Sequence, residues 1–266
     1  MLFDTHAHLN SLDDIPAVLT RAHDAGVRAI LHVTTPAESP IPDSARHGLM
    51  IARTVGYTPD FAGEKGRDDG PFPNIAALDA AADAKDIRAL GEMGLDYHWD
   101  YGTPEIQERL LREQLALGIR RGLPVVIHIR DAAPRASTPE DRAFADFFRI
   151  LRDYAGTRGV LHCFTGSADH ARACVDAGLY VSFSGIVTFK NAGAIRDSAR
   201  VVPDNKIIME TDTPYLALIP HRGKTNEPGF IAHTCAALAE IRGVDAGALA
   251  ELTFENARRL FGFPSS

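Results

Sequence analysis

Eight short apolar runs recur along the chain, and most are followed by a segment with the pattern of an amphipathic helix. The runs occupy residues 2–3, 27–33, 57–61, 87–90, 124–127, 159–161, 179–183 and 207–209. Runs of this length, bounded by glycine and proline, are typical of strands that are buried in a parallel sheet. Eight strands that alternate with helices predict an α/β fold, a (β/α)8 TIM barrel.

Helical patterns occupy most of the segments between these runs. The clearest covers residues 104–121, with Pro104 at its start and Gly122 just past its end, which is the usual asymmetry of helix termini. The other predicted helices cover residues 15–25, 44–54, 139–154, 168–177 and 230–241, and a last helix lies near 254–261. Because α/β barrels routinely use ~250 residues, we expect residues 1–266 to form a single domain.

Histidine and carboxylate side chains follow several of the predicted strands. His6 and His8 follow the first run, and residues two apart in an extended segment point the same way, so both imidazoles can bind one metal ion. Glu92 follows the fourth predicted strand, His128 and His162 end the fifth and sixth, and Asp212 follows the eighth. The carboxyl ends of barrel strands converge on one mouth, so we expect all six side chains to face each other.

The six candidates offer imidazole nitrogens and carboxylate oxygens, which suit Zn²⁺, Mn²⁺ or Mg²⁺. Six ligands are too many for one catalytic ion that must keep an open position. They suit two ions with a shared carboxylate, an arrangement that flanks the attacking and leaving oxygens in phosphoryl transfer. The pattern therefore predicts two divalent metal ions as cofactors at the mouth, in an arrangement suited to phosphoryl transfer.

Four stretches around these residues form a set of motifs: residues 4–9 (DTHAHL), 91–97 (GEMGLDY), 162–167 (HCFTGS) and 210–216 (ETDTPYL). With residues 124–132, 220–228 and 256–261, they make the chain resemble the TatD family of metal-dependent deoxyribonucleases, within the amidohydrolase superfamily. The resemblance covers essentially the whole chain. It implies a TIM barrel, a binuclear divalent-metal site, and DNA as substrate, single-stranded or at 3′ ends, cleaved often as a 3′-to-5′ exonuclease.

The resemblance also implies a role for each candidate ligand. It assigns one ion to His6, His8 and Asp212. It assigns the second ion to the histidines of the fifth and sixth strands, with Glu92 as the bridge between the two ions. Asp212 is further implied to accept a proton from the attacking water, which makes Asp212 and Glu92 the expected catalytic residues.

One stretch departs from the family pattern. After the third strand the family usually shows Gly-x-His-Pro-His, whereas this chain has residues 56–60 (GYTPD), with Thr58 and Asp60 in place of the two histidines. Neither position is among the expected ligands, so the metal site should be kept. The substrate preference on that side of the mouth is left open by the change.

Three cationic residues are candidate phosphate contacts. Arg130 lies two residues past His128 and can grip a phosphate with two N–H groups, although a surface pair with Asp131 is an equal alternative. Arg222 and Lys224 lie in the long loop after the eighth strand, where barrels often bind phosphate. A solvated charged loop is the alternative interpretation there.

Charge and composition exclude other classes of protein. The formal net charge of −7 excludes a protein that coats nucleic acid by bulk electrostatics. No stretch approaches the ~18 apolar residues of a membrane span, and the N-terminus lacks the pattern of a signal peptide. The three cysteines are odd in number and sit in apolar surroundings, which fits reduced thiols. We therefore expect a cytoplasmic enzyme with no membrane association and no obligate protein partner.

Two other functions stay open at this point. A small-molecule amidohydrolase, lactonase or phosphoesterase could use the same two-metal site, which polarises a carbonyl as readily as a phosphoryl group. The net charge and the two replaced histidines leave room for that alternative, whereas the cationic residues favour phosphate. A non-catalytic metal-binding protein on the same fold would be favoured by a missing ligand, and none of the six is missing.

Overall fold

The computed structural model describes residues 1–63, 72–99, 101–132 and 142–264. It contains one sheet of eight strands, hydrogen-bonded in chain order, and every neighbouring pair is parallel. The strands are β1 (Leu2–Ala7), β2 (Val27–Thr34), β3 (Met50–Val55), β4 (Ile87–Asp96), β5 (Val125–Arg130), β6 (Gly159–Leu161), β7 (Tyr180–Phe183) and β8 (Ile207–Met209).

Helices lie between most of the strands and after the last one. They are α1 (Ile15–Asp24), α2 (Ile75–Ala81), α3 (Pro104–Arg121), α4 (Arg142–Leu151), α5 (Ala168–Asp176), α6 (Gly193–Val201), α7 (Ile231–Arg242) and α8 (Ala246–Phe261). This alternation confirms the predicted (β/α)8 barrel. Across the described ranges, no helix has the length and apolar character that crossing a membrane requires.

The third strand lies earlier in the chain than we predicted. A helix over residues 44–54 and a strand over 57–61 were expected, but β3 runs from Met50 to Val55, and Pro59–Ala62 forms a short 3-10 helix. Periodicity cannot separate a short apolar run in a strand from one in a helix. Parallel pairing of residues 50–55 with β2 decides the matter, and that pairing is invisible in the local sequence.

The other helix predictions agree with the structure more closely. Helix α3 has the predicted bounds, and its last turn is closed by Gly122 in the left-handed conformation, with φ of 63°. The predicted helix over 139–154 corresponds to α4, and its part before residue 142 falls outside the described residues. Helices α2 and α6 were not predicted, because both are short and carry few large apolar side chains.

The amino-terminal end of the barrel is closed by the last helix. Phe3 on β1 contacts Phe254 and Phe261 of α8, with ring centroids 5.8 and 6.3 Å apart. Together with small and branched residues of the strands, such as Leu31 and Val126, these rings form the smaller of two apolar clusters, which fills the inside of the barrel. The larger cluster packs the outer face of the sheet against the surrounding helices. Because the interior is filled from this end, polar groups can gather only at the opposite end.

The sheet closes between its first strand and the residues that follow its last strand. The backbone N–H of Asp212 donates to the carbonyl of His6 at 3.0 Å, and the N–H of His8 donates to the carbonyl of Thr213 at 2.7 Å. Ala7 and Thr213 form a parallel bridge at the same place. Barrel closure therefore sets His6 and His8 directly beside Asp212, although about two hundred residues separate them in sequence.

Gly94 permits the close approach of β4 and β5. It pairs with His128 in the register of the two strands. A Cβ atom built at position 94 would overlap the carbonyl oxygen of His128. Only glycine lacks that atom, so this position lets Glu92 and His128 come together on neighbouring strands.

Candidate metal centre

The six candidate ligands meet at the mouth, the end of the barrel formed by the carboxyl ends of the strands. They lie on β1, β4 and β5 or on the residues that follow β1, β6 and β8. The side chains are those of His6, His8, Glu92, His128, His162 and Asp212. Four are buried, and His8 and His128 are half-buried. The structure thus brings together all six candidate metal ligands.

Glu92 lies at the centre of the cluster and divides it into two halves. Its Oε2 atom is 3.3 Å from Nε2 of His6 and 3.5 Å from Nε2 of His8. Its Oε1 atom is 3.0 Å from Nδ1 of His128 and 3.1 Å from Nε2 of His162. Each carboxylate oxygen therefore faces its own pair of imidazole nitrogens.

The spacing within each half suits a divalent ion. In the first half, the Nε2 atoms of His6 and His8 are 3.2 Å apart, and both lie 3.8 Å from Oδ1 of Asp212. In the second half, Nδ1 of His128 is 3.1 Å from Nε2 of His162. Ligands ~2.1 Å from a tetrahedral ion stand about 3.4 Å apart, so both sets of donor atoms fit one. The family resemblance implies such ions, and the residues present are suited to hold them.

Two carboxylates behind the second half were not predicted as functional residues. Oδ2 of Asp96 lies 3.2 Å from Nε2 of His128, and Oε1 of Glu210 lies 3.2 Å from Nδ1 of His162. Such partners fix the ring orientation and the tautomer of a metal-binding histidine. A sequence signal existed for Glu210, because it precedes Asp212 by two residues. Asp96 ends the same strand as Glu92, and only the side-chain geometry shows its role.

A buried polar network holds the backbone that carries Asp212. Asp212 has a φ of 63°, in the left-handed region that non-glycine residues rarely adopt. Asp4 accepts hydrogen bonds from the backbone N–H of Thr211 at 2.8 Å and from its hydroxyl at 2.6 Å. The hydroxyls of Thr211 and Thr213 are 2.7 Å apart. These bonds over-determine the loop, which allows Asp212 to keep an unfavourable conformation.

The two histidines of the first half are uncharged in the ion-free protein. Burial, followed by the positive charge of His162, lowers the pKa of His6 to about 4. Burial also lowers the pKa of His8. Neutral imidazole is the form that binds a metal, so neither ring has to lose a proton at neutral pH.

The two histidines of the second half hold protons more tightly. Burial would lower the pKa of His128, but its hydrogen bonds to Asp96 and Glu92 outweigh that effect and raise the pKa to about 9. Burial opposes the charge of His162 as well, yet Glu92 and Glu210 raise its pKa well above the usual value. A cation that enters this half has to displace these protons.

The two carboxylates of the cluster differ in their ionisation. Burial would raise the pKa of Glu92, but the charge of His162 and hydrogen bonds from His128, His162 and His6 hold it well below its ordinary value. Burial raises the pKa of Asp212 to about 7, against the opposing charge of His162. Glu92 is therefore the permanently charged centre of the site, and Asp212 titrates near neutral pH.

The three candidate phosphate contacts differ in burial and in their surroundings. Arg130 ends β5 and is half-buried, with its guanidinium carbon 5.6 Å from the centroid of the Trp99 ring. Arg222 is exposed and lies over the ring of Phe189 at 4.0 Å. Lys224 is exposed in the same loop. Arg130 therefore lies on a strand that carries a candidate ligand, whereas the other two are exposed in the loop that follows β8.

An acid faces the mouth from the side where the family usually has histidines. Thr58 donates a short hydrogen bond to Asp60, and Asp60 is exposed. Burial is the largest cause of the raised pKa of Tyr101, and the charge of Asp60 is the next largest. It also adds to the raised pKa of Tyr215. The replaced histidines thus change the charge of the mouth without touching the six-residue cluster.

Comparisons with known proteins agree on one family. A family model described as TatD related DNase matches residues 3–262. YabD of Bacillus subtilis (strain 168), an uncharacterised metal-dependent hydrolase, is 35% identical over 268 residues, which cover 98% of this chain and 99% of YabD. A protein of Enterobacter lignolyticus (strain SCF1) named 3′-5′ ssDNA/RNA exonuclease TatD is 34% identical over 274 residues, with 98% and 99% covered. The crystal structure of YJJV, a TatD homologue from Escherichia coli K12, matches with a TM-score of 0.81 and 29% identity over 99% of this chain and 98% of that one.

Proposed function

The chain belongs to the TatD related DNase family of metal-dependent hydrolases, and we propose that it hydrolyses phosphodiester bonds of DNA, removing nucleotides from the 3′ end of a single strand. One observation carries the proposal. The two oxygens of Glu92 face separate pairs of imidazole nitrogens, which is the arrangement needed to hold two cations side by side. Two-metal sites of this kind clamp the attacking and leaving oxygens of a phosphoryl group.

In this proposal the first half of the cluster, His6, His8 and Asp212, would hold one divalent ion. His128 and His162 would hold the second, and Glu92 would offer one carboxylate oxygen to each half. Bound there, Mg²⁺, Mn²⁺ or Zn²⁺ supplies Lewis-acid polarisation of a phosphoryl oxygen and makes a water molecule more acidic.

Asp212 is the residue that takes up the proton of the attacking water. Its Oδ1 atom is 3.8 Å from both imidazoles of the first half, farther than the 3.3 and 3.5 Å that separate them from Glu92. Its side chain is 12% exposed, so a water molecule at the mouth can reach the carboxylate. General-base assistance of this kind contributes ~10²–10⁴-fold to a rate.

Arg130 orients the substrate in the same proposal. It ends the strand that carries His128, and its planar guanidinium can give two parallel N–H bonds to a phosphate oxygen pair. Arg222 and Lys224 add phosphate contacts farther out. Contacts to phosphate position a strand without reading its bases, so little sequence preference is expected.

The experiment is hydrolysis by the purified protein with added Mg²⁺, Mn²⁺ or Zn²⁺. Single-stranded DNA labelled at the 5′ end should shorten progressively, and the same strand labelled at the 3′ end should release its label at once. Asp212→Asn should abolish most turnover, whereas Asp176→Asn, an exposed acid on α5, should not. Turnover of small esters, lactones or amides without any cleavage of DNA would favour a small-molecule hydrolase. No turnover of any substrate would leave a metal-binding protein.

A further inference from the structure

Exposed apolar side chains are concentrated at the mouth. Within the described ranges, eight large apolar side chains are exposed, and five of them lie on loops that follow the carboxyl ends of β3, β4 and β8. These five are Phe61, Trp99, Tyr215, Leu216 and Ile219. Single exposed apolar residues are ordinary on a protein surface, but their collection around a polar catalytic centre indicates contact with an apolar part of a ligand.

Trp99 is anchored to the second half of the metal cluster. Oδ1 of Asp96 accepts hydrogen bonds from the backbone N–H groups of His98 at 2.9 Å and Trp99 at 3.2 Å. The other oxygen of the same carboxylate contacts His128. Trp99 is 52% exposed, and the guanidinium of Arg130 lies over its ring. The ring thus combines a free apolar surface with a neighbouring cation, next to a candidate ligand.

Tyr215 is anchored to the first half. Its ring meets the ring of His8 edge-on, with centroids 5.7 Å apart and an interplanar angle of 71°. Its backbone N–H donates to the carbonyl of Asp212 at 2.8 Å, and Asn226 donates to its carbonyl at 2.7 Å. The residue is 55% exposed even so. Its position is therefore fixed by backbone bonds, and its ring is left open to the mouth.

We propose that Trp99 and Tyr215 are stacking platforms for two unpaired nucleobases, one on each side of the phosphodiester that lies at the metal cluster. The inference rests on the proposed function and adds the residues that recognise the bases. Aromatic rings bind unpaired bases of any sequence through their faces, and Arg130 beside Trp99 supplies the complementary charge for the backbone. Bases in a duplex are already stacked and paired, so these platforms select single-stranded ends.

The chain contains a single tryptophan, so its fluorescence reports on Trp99 alone. We would use the Asp212→Asn protein with Mg²⁺, in which turnover should be slow enough for binding to be measured. The ligands are a thymidine hexamer and an abasic hexamer with the same phosphates. The thymidine strand should change the fluorescence of Trp99 and bind about a hundredfold more tightly than the abasic strand, because the abasic strand lacks both stacked bases and stacking is worth about tenfold or more per base.

Substitutions then test whether Trp99 and Tyr215 each contribute to base binding, as distinct from an effect on folding or on phosphate binding. In the Asp212→Asn background, Trp99→Ala and Tyr215→Ala should each weaken binding of the thymidine strand about tenfold, measured with a labelled strand, and leave the abasic strand unaffected. Trp99→Phe and Tyr215→Phe should retain most of the affinity. Ile119→Ala, at another exposed apolar residue, on α3, is the matched control and should change nothing. Thermal unfolding of each variant shows whether it is folded.

Equal affinity for the thymidine and abasic strands in folded protein would overturn the stacking proposal. If the wild-type protein still degraded DNA in that case, the proposed function would stand. If no nucleic acid were bound or cleaved, both would fail together. Fluorescence changes caused by an aryl ester but not by the thymidine strand would show that the exposed residues serve a small apolar substrate, which also overturns the proposal.

Discussion

Asp96 should control the affinity of the second half of the metal cluster. Its Oδ2 atom is 3.2 Å from Nε2 of His128, while Oδ1 is occupied by two backbone N–H groups. In Asp96→Asn the amide oxygen would stay with the backbone donors, and the NH2 group would face the imidazole. The hydrogen bond that orients the ring as a ligand would then be lost.

Loss of such a partner typically weakens metal binding by ~10- to 100-fold. The effect should be confined to the ion held by His128 and His162, because Asp96 has no described contact with His6 or His8. Metal is titrated into metal-free protein in competition with a chromophoric chelator, and binding to the wild-type protein should therefore show two steps. In the variant, one binding step should move to a higher metal concentration, and the other should stay at the same concentration.

The matched control is Asp79→Asn, which removes a carboxylate that pairs with Arg120 and Arg121 on the outside of the barrel. It should leave both steps unchanged. Two unshifted steps in Asp96→Asn would show that the carboxylate does not orient His128. An equal shift of both steps would mean that the two halves do not act as separate sites.

Three further expectations follow from the same geometry. Gly94→Ala should lower the free energy of unfolding by several kcal/mol, because its Cβ would overlap the His128 carbonyl, whereas Gly193→Ala, with open space around it, should be tolerated in the same thermal denaturation. Folding raises the pKa of Asp212 to about 7 and that of His128 to about 9, so the ion-free protein should lose stability as the pH rises through these values. The apparent affinity for metal should increase over the same range, because fewer protons then have to be displaced. A melting temperature and a metal Kd that do not change with pH would contradict this expectation. The logarithm of the affinity for single-stranded DNA should fall linearly with the logarithm of the salt concentration, with a slope of about −0.7 for each phosphate contact and two or three contacts in all. Substitution of Arg222 or Lys224 should weaken the binding of every DNA sequence equally. A much steeper slope would require a track of basic residues elsewhere on the protein.

Local chemistry determined much of the architecture from the sequence alone. Apolar runs and helix termini are short-range features, which is why α3 ends where Pro104 and Gly122 predict and why β6 and β8 have the predicted bounds. Hydrophobic periodicity, together with the barrel rule that strand ends converge, was enough to nominate the six residues of the metal cluster.

The tertiary structure alone decided the rest, because it depends on contacts between residues far apart in sequence. Pairing with β2 made residues 50–55 a strand despite a pattern that also fits a helix. Glu92 separates the cluster into two halves because each of its two oxygens contacts a different pair of imidazoles. Closure of the barrel beside Asp212 fixes the position of the first pair. The roles of Asp96 and Trp99 likewise arise from side-chain position and exposure. Periodicity constrains which face of a strand a residue occupies, whereas packing and strand register decide what it touches there.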